Sequence, residues 1–291
     1  MIQLAACRCA ALIAVVAALA TAAPPVGATG PSTEELSQAA TRKRAVLVAR
    51  VDRLTQGIDS GRWQGRDLGE LYRVRGITYS HLTDNQQALE DLSKAIELDA
   101  FNPQYYEDRA IAYLKLRDFA SARTDLSMSL GLDRKRPTAY REEGRLASYQ
   151  GEYARAARSF AQAMDYDEGM GTLYAAMWLH LAVARGALNM PSPLAPYAAA
   201  VPPAQWPAPV VRMLVGTLSP AEAIALADAP DPDKFQNQRC EAYFYAGEQY
   251  LVQHDADAAR AAFEAAVATG VTDFVEYDWA KRELELMKQR P

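Results

Sequence analysis

The chain has 291 residues, half of them apolar, three cysteines and a formal net charge of -5. That length and apolar share can bury a substantial core, and the negative balance argues against a protein that neutralises nucleic-acid phosphates. The three histidines form no HExxH pattern, and GxSxG and CxxC are absent, so the usual sequence signs of metal-dependent or nucleophilic catalysis are missing.

MIQLAACR carries one positive charge, at Arg8, and CAALIAVVAALA then runs apolar for too short a stretch to span a bilayer comfortably. This predicts a secretory signal segment over residues 1–28, with small-x-small exits at Ala20-Thr21-Ala22 and Val26-Gly27-Ala28, so that the mature chain begins between Ala23 and Thr29. Leu4-Ala5-Ala6-Cys7 is similar to a lipid-attachment box, but the apolar run follows the cysteine instead of preceding it, and no lipidation is expected. The expected location is periplasmic or secreted, with no stable membrane anchor after cleavage. Removing Cys7 and Cys9 leaves Cys240 alone, so no intramolecular disulfide is available and folding must rest on packing.

Next comes an N-terminal cap over 29–68, in which Ser32 and Glu35 open a helix reaching about Ile58, with Leu47, Val51, Leu54 and Ile58 on one stripe. From residue 69 the chain repeats itself. ALEDLSKAIELD and ARTDLSMSLGLD begin at Ala88 and Ala122, 34 residues apart, and AARSFAQAMDYD begins at Ala156. At this period Tyr72, Gly76, Tyr79, Ala88, Leu92 and Ala95 align with Tyr106, Ala110, Tyr113, Ala122, Leu126 and Ser129, then with Tyr140, Gly144, Ala147, Ala156, Phe160 and Ala163. The spacings of three and four give two helical stripes per unit. The short polar turns at Thr83-Asp84-Asn85, Arg117-Asp118 and Gln150-Gly151-Glu152 force each pair antiparallel.

This alternation of large and small residues resembles the tetratricopeptide repeat (TPR), in three tandem units over 69–168. The resemblance implies an all-α solenoid of antiparallel helix pairs. The proline that closes a typical unit is replaced here by Ala100, Arg134 and Glu168. A degenerate fourth helix over 169–188 puts Trp178 where Gly76 and Gly144 stand, and a connector over 189–232 holds seven prolines between Met190 and Pro209, which predicts an extended segment with short helices, one around Val210–Val215. Ser219-Pro220-Ala221-Glu222 is a capping box. A final repeat over 233–270 matches all six packing positions with Tyr243, Gly247, Tyr250, Ala259, Phe263 and Ala266, and a capping helix over 271–291 is expected to open on a box from Asp273 to Glu276.

The order of a degenerate repeat, a linker, one well-matched repeat and a closing TDFVEY helix resembles the NlpI-like family of envelope TPR lipoproteins. The resemblance implies an adaptor that holds other proteins, with envelope proteases or cell-wall hydrolases as the partner class. It implies no nucleic-acid partner, no cofactor and no enzymatic activity of its own. The alternative is a cell-wall-associated enzyme, or enzyme subunit, that uses the array to bind substrate. A homodimer stays open.

Three local features compete with plainer readings. His254-Asp255-Ala256-Asp257 offers metal donors but also makes an ordinary solvated turn. Cys240 beside Arg239 is either an activated thiol or a small buried residue. Tyr149, Tyr153 and Trp178 are either peptide anchors or core, with Trp178 at a packing position. In the TPR family the first helix of each unit lines the concave face. Carried over residue by residue, that implies a groove of Arg73, Ile77, Ser80 and His81, then Glu107, Ile111, Leu114 and Lys115, then Arg141, Arg145, Ser148 and Tyr149, cationic at both ends and apolar in the middle. The Lys and Asn of the family's carboxylate clamp are replaced by Arg73-Ile77, Glu107-Ile111 and Arg141-Arg145. Arg141 and Arg145, one turn apart, either grip an acidic group together or pair with Glu142 and Glu143.

Overall fold

The computed structural model describes residues 30–289; the signal segment, its cleavage sites, Cys7 and Cys9 lie outside them. Among the described residues every regular element is an α-helix. They divide into two compact units, one of residues 40–197 and one of residues 30–39 with 198–289.

The first helix, α1 (Thr33–Asp59), is shared between the two units. Its start is fixed reciprocally: Ser32 Oγ accepts from Glu35 N at 3.3 Å while Glu35 Oε2 accepts from Ser32 N at 2.7 Å, the capping box that the sequence spells. Leu47, Val51, Leu54 and Ile58 are only half-buried, so the predicted stripe exists but seals the end of the array incompletely.

The larger unit continues with three helix pairs, α2 (Gly65–His81) with α3 (Asn85–Leu98), α4 (Pro103–Lys115) with α5 (Phe119–Leu132), and α6 (Pro137–Tyr149) with α7 (Tyr153–Tyr166). Helix α2 begins one turn ahead of the position that is in phase with Pro103 and Pro137. Every hairpin turn has the same form. Thr83, Arg117 and Gly151 take φ of 68°, 62° and 76°, and the next residue donates its backbone N–H five residues back, Asp84 to Tyr79 at 2.9 Å, Asp118 to Tyr113 at 3.0 Å and Glu152 to Ala147 at 2.9 Å. This is the Schellman ending, which wants a left-handed residue and favours glycine. Two turns fill it with a side-chain-bearing residue, and at Thr83 that residue is β-branched. Thr83→Gly is therefore expected to raise stability by ~0.5 kcal/mol, because relief of a ~1–2 kcal/mol left-handed cost exceeds the added freedom of the unfolded glycine; a chemical-denaturation midpoint checks it.

Small residues stand where the helices of a pair close on each other. A Cβ at Gly144 would lie 2.6 Å from a ring carbon of Phe160, so only glycine lets that ring fill the space between α6 and α7. Alanines 88, 95, 110, 122, 156 and 163 are all fully buried for the same reason.

The repeated aspartate of the A-x-x-D-L-S motif has a structural cause that the spacing alone does not reveal. Asp91 accepts a bidentate pair of hydrogen bonds from Arg75 at 2.7 and 2.8 Å, and Asp125 accepts the same pair from Arg109 at the same distances. Each guanidinium also lies within 6.0 Å of two motif tyrosine rings, Tyr72 and Tyr79 for Arg75, Tyr106 and Tyr113 for Arg109. The pair ties the second helix of each unit to its first. In the third unit the pattern changes: Glu143 stands in the arginine's register and Ser159 in the aspartate's, and Glu143 takes Arg155, one turn before Ser159, at 2.8 Å.

Helix α8 (Met170–Arg185) packs along α7, and Trp178, at the glycine position, stacks on Phe160 with centroids 6.1 Å apart. The bulky ring thus becomes core where a close approach would otherwise be. In the connector Leu194 is fully buried, and α9 (Ala195–Ala200) is a short helix.

The second unit holds α10 (Ala208–Leu214), α11 (Pro220–Ala225), α12 (Pro232–Val252), α13 (Ala256–Ala268) and α14 (Val275–Gln289). Ser219 and Glu222 make the expected capping box. Helices α12 and α13 reproduce the repeat, with a Cβ at Gly247 falling 2.5 Å from Phe263 and His254 as the left-handed turn residue at φ 61°. Glu276, at the far end of the expected Asp273–Glu276 box, is buried in the first turn of α14, where Tyr245 donates its hydroxyl to it at 3.5 Å.

Candidate functional site

In the larger unit the first helices of successive repeats also touch one another, α2 with α4 and α4 with α6, which puts them side by side on one face. The period then sorts their non-motif residues into three rows: 73, 107 and 141; 77, 111 and 145; 81, 115 and 149.

The first row is occupied by the fold itself. Arg73 is held by Glu70 at 2.9 Å and by Asp108 at 2.7 Å, an ion pair between α2 and α4. Burial pushes the Asp108 carboxyl up to about 6, with Arg73 opposing the shift. Glu107, expected to face the groove, is instead 2 % exposed. It accepts from Arg136 at 2.6 and 2.8 Å and from Ser129 at 2.9 Å, because a carboxylate at that depth must be fully paired. Arg141 is paired with Asp167, and burial together with the neighbouring Arg145 lowers its guanidinium below the ordinary arginine value.

The second row is more open. Ile77 and Ile111 are half-buried, and Arg145 is half-buried with one guanidinium nitrogen on Glu142. The two arginines therefore do not converge on a shared vacancy, since each already has its own carboxylate, and Glu143 serves Arg155 instead. In the third row His81 is exposed, Lys115 reaches the Ser80 carbonyl at 3.4 Å, and Tyr149 stacks on Phe119 with centroids 5.6 Å apart. Ser80, Leu114 and Ser148 are buried and do not reach the face as expected. What remains accessible is a strip of Ile77, Ile111, Arg145, Lys115, Tyr149 and His81: apolar in the middle, cationic at one flank, with the arginine ends largely neutralised.

Among the described residues no group of histidine, cysteine and carboxylate side chains is arranged to hold a metal ion. His254 serves as the turn residue, and Asp255 caps α13 by accepting from Ala258 N at 3.0 Å. Cys240 is fully buried, and burial pushes its thiol up to about 12, so it is a packing residue and not an activated nucleophile. No helix among the described residues is long and apolar enough to cross a membrane.

The chain's helical pairs are of the tetratricopeptide type, and solved structures with that repeat are similar to it. A TPR protein from Parabacteroides merdae is 18% identical, over 88% of this chain and 98% of that one, with a TM-score of 0.48. The TPR domain of Arabidopsis OM64 is 26% identical, over 38% of this chain and 93% of its own, with a TM-score of 0.36. YrrB, described as a TPR protein with an unusual peptide-binding site, is 14% identical, over 74% of this chain and 91% of its own, at a TM-score of 0.39. No protein-family model matches the chain.

Proposed function

We propose that the protein is an exported scaffold that binds other proteins through the first-helix face of its larger unit, in the manner of NlpI-like envelope adaptors. The observation that carries this reading is the row of Ile77, Ile111 and Arg145, which stays partly open on three consecutive first helices while the adjacent row is saturated by ion pairs. Half-exposed isoleucines one period apart leave apolar surface that the core does not take up. They suit an extended or helical segment laid across the repeats, with its acidic end toward Lys115 and Arg145. The signal-like N-terminus supports placing the scaffold in the cell envelope, and proteases or cell-wall hydrolases are the partner class.

The test is a pulldown from an envelope fraction followed by affinity measurement on the partner recovered. Ile77→Ser with Ile111→Ser is expected to weaken binding by roughly tenfold or more, because two apolar contacts of ~1 kcal/mol each are lost at ~1.4 kcal/mol per decade. Stability moves little, since neither residue is in the sealed core. Unchanged affinity refutes the assignment of this face. Cleavage of peptidoglycan or a peptide by the isolated chain refutes the scaffold reading.

A further inference from the structure

Helix α1 concentrates positive charge in a protein of net charge -5: Arg42, Lys43, Arg44, Arg50 and Arg53 stand against a single acid, Asp52, between residues 42 and 53. The helix turns about 100° per residue, so Leu47, Val51, Leu54 and Ile58 share the side on which they are half-buried. Arg42, Val46, Ala49 and Arg53 follow one another at helical spacing on the side away from it, and Arg50, one turn from both Val46 and Leu54, stands at the edge between the two. All five are exposed, Val46 by 63%. Arg42, Arg50 and Arg53 are held by no acidic partner among the described residues. The result is a band about 16 Å long at 1.5 Å per residue and roughly a quarter of the helix circumference wide, three guanidinium groups with a valine and an alanine between them.

We infer that this band is a docking surface for an anionic phospholipid bilayer. Its shape decides between occupants. It is the outward ridge of a helix whose whole outer side is exposed, so no wall of the protein encloses an extended acidic peptide there. A flat bilayer needs no such wall. Lipid phosphates accept paired hydrogen bonds from guanidinium groups. Val46 stands at the height of the arginines and meets the headgroup boundary, as the apolar residues of interfacial helices do. The acidic remainder of the chain is repelled by the same lipids and turns this side toward them. The contact is peripheral and reversible, with each arginine near an anionic surface strengthening it roughly fivefold.

The experiment is co-sedimentation of the protein without its signal segment, residues 29–291, with vesicles of phosphatidylcholine containing one-third phosphatidylglycerol, against vesicles of phosphatidylcholine alone. The expected result is pelleting with the anionic vesicles only, abolished by high salt. The variant R42Q/R50Q/R53Q is expected to bind roughly a hundredfold more weakly, while R42K/R50K/R53K keeps most of the binding and both retain the parent's circular dichroism. Equal pelleting of the parent and the glutamine variant overturns the inference. So does equal pelleting with neutral vesicles, which would point to apolar capture elsewhere in the chain. Binding to polyglutamate without binding to anionic vesicles also overturns it, in favour of an acidic protein partner.

Discussion

Ala95→Asp is expected to unfold the larger unit under conditions in which the parent is stable. Ala95 is fully buried on α3, and its carbonyl lies 3.4 Å from where a Cβ on Gly69 of α2 would sit, so the helices meet at methyl range. Overpacking there costs ~1–3 kcal/mol. The carboxylate adds the cost of losing water without a partner, which it escapes only by taking up a proton. Together these reach several kcal/mol, a large part of the ~5–15 kcal/mol that holds a typical domain together. The sign of the pH dependence is fixed. The new carboxyl is raised in the folded state, so its penalty is full at neutral pH and shrinks as pH falls through that raised value toward the unfolded ~3.9. Lys94→Ala is the control on the same helix, since its side chain is half exposed and its partner Glu97 more so; it is expected to stay within ~1 kcal/mol. Denaturation midpoints by circular dichroism decide the matter, and an Ala95→Asp midpoint equal to that of Lys94→Ala would show that Ala95 is not at a helix contact.

Positions of this kind were readable from the sequence because size is read locally. Gly144 against Phe160 and Gly247 against Phe263 recur with the repeat, and large-against-small needs no knowledge of orientation. The caps at Ser32 and Ser219 were readable for the same reason, each being closed within four residues. Charge was not. Glu107 sits at a ligand-facing position of the repeat, but its fate depends on Arg136, which is far along the chain, at the entry to the first helix of the next unit. Arg141 likewise meets Asp167 from beyond the following helix. A signal did exist for the internal tie: Tyr72, Arg75, Tyr79 and Asp91 recur as Tyr106, Arg109, Tyr113 and Asp125, and a repeated charge is rarely mere solvation. In the connector the burial of Leu194 was not readable, because counting prolines reports where a helix cannot continue and not what the intervening residues bury.

That tie carries the other large effect. Asp125→Ala is expected to destabilise the larger unit by ~3–5 kcal/mol, the cost of breaking a buried ion pair from one side. Asp125 is nearly sealed, with its side chain 4% exposed, and Arg109 is 19% exposed, so the abandoned guanidinium cannot swing fully into water from between Tyr106 and Tyr113. Replacing both partners tests whether the pair stabilises or merely avoids its own absence. Arg109→Met with Asp125→Leu removes both charges and fills much of their volume, and is expected to lie within ~1–2 kcal/mol of the parent, far milder than Asp125→Ala alone. The third unit supplies a comparison within the same molecule, because Glu143 and Arg155 there are 24% and 28% exposed and water can replace either partner. Arg155→Ala should accordingly cost ~1 kcal/mol or less. If all three variants unfold at the same denaturant concentration, the repeated Arg–Asp pair is surface decoration. If the double variant is as damaged as Asp125→Ala, the pair contributes net stability of its own, and the aspartate of A-x-x-D-L-S is kept for strength and not only to match the arginine.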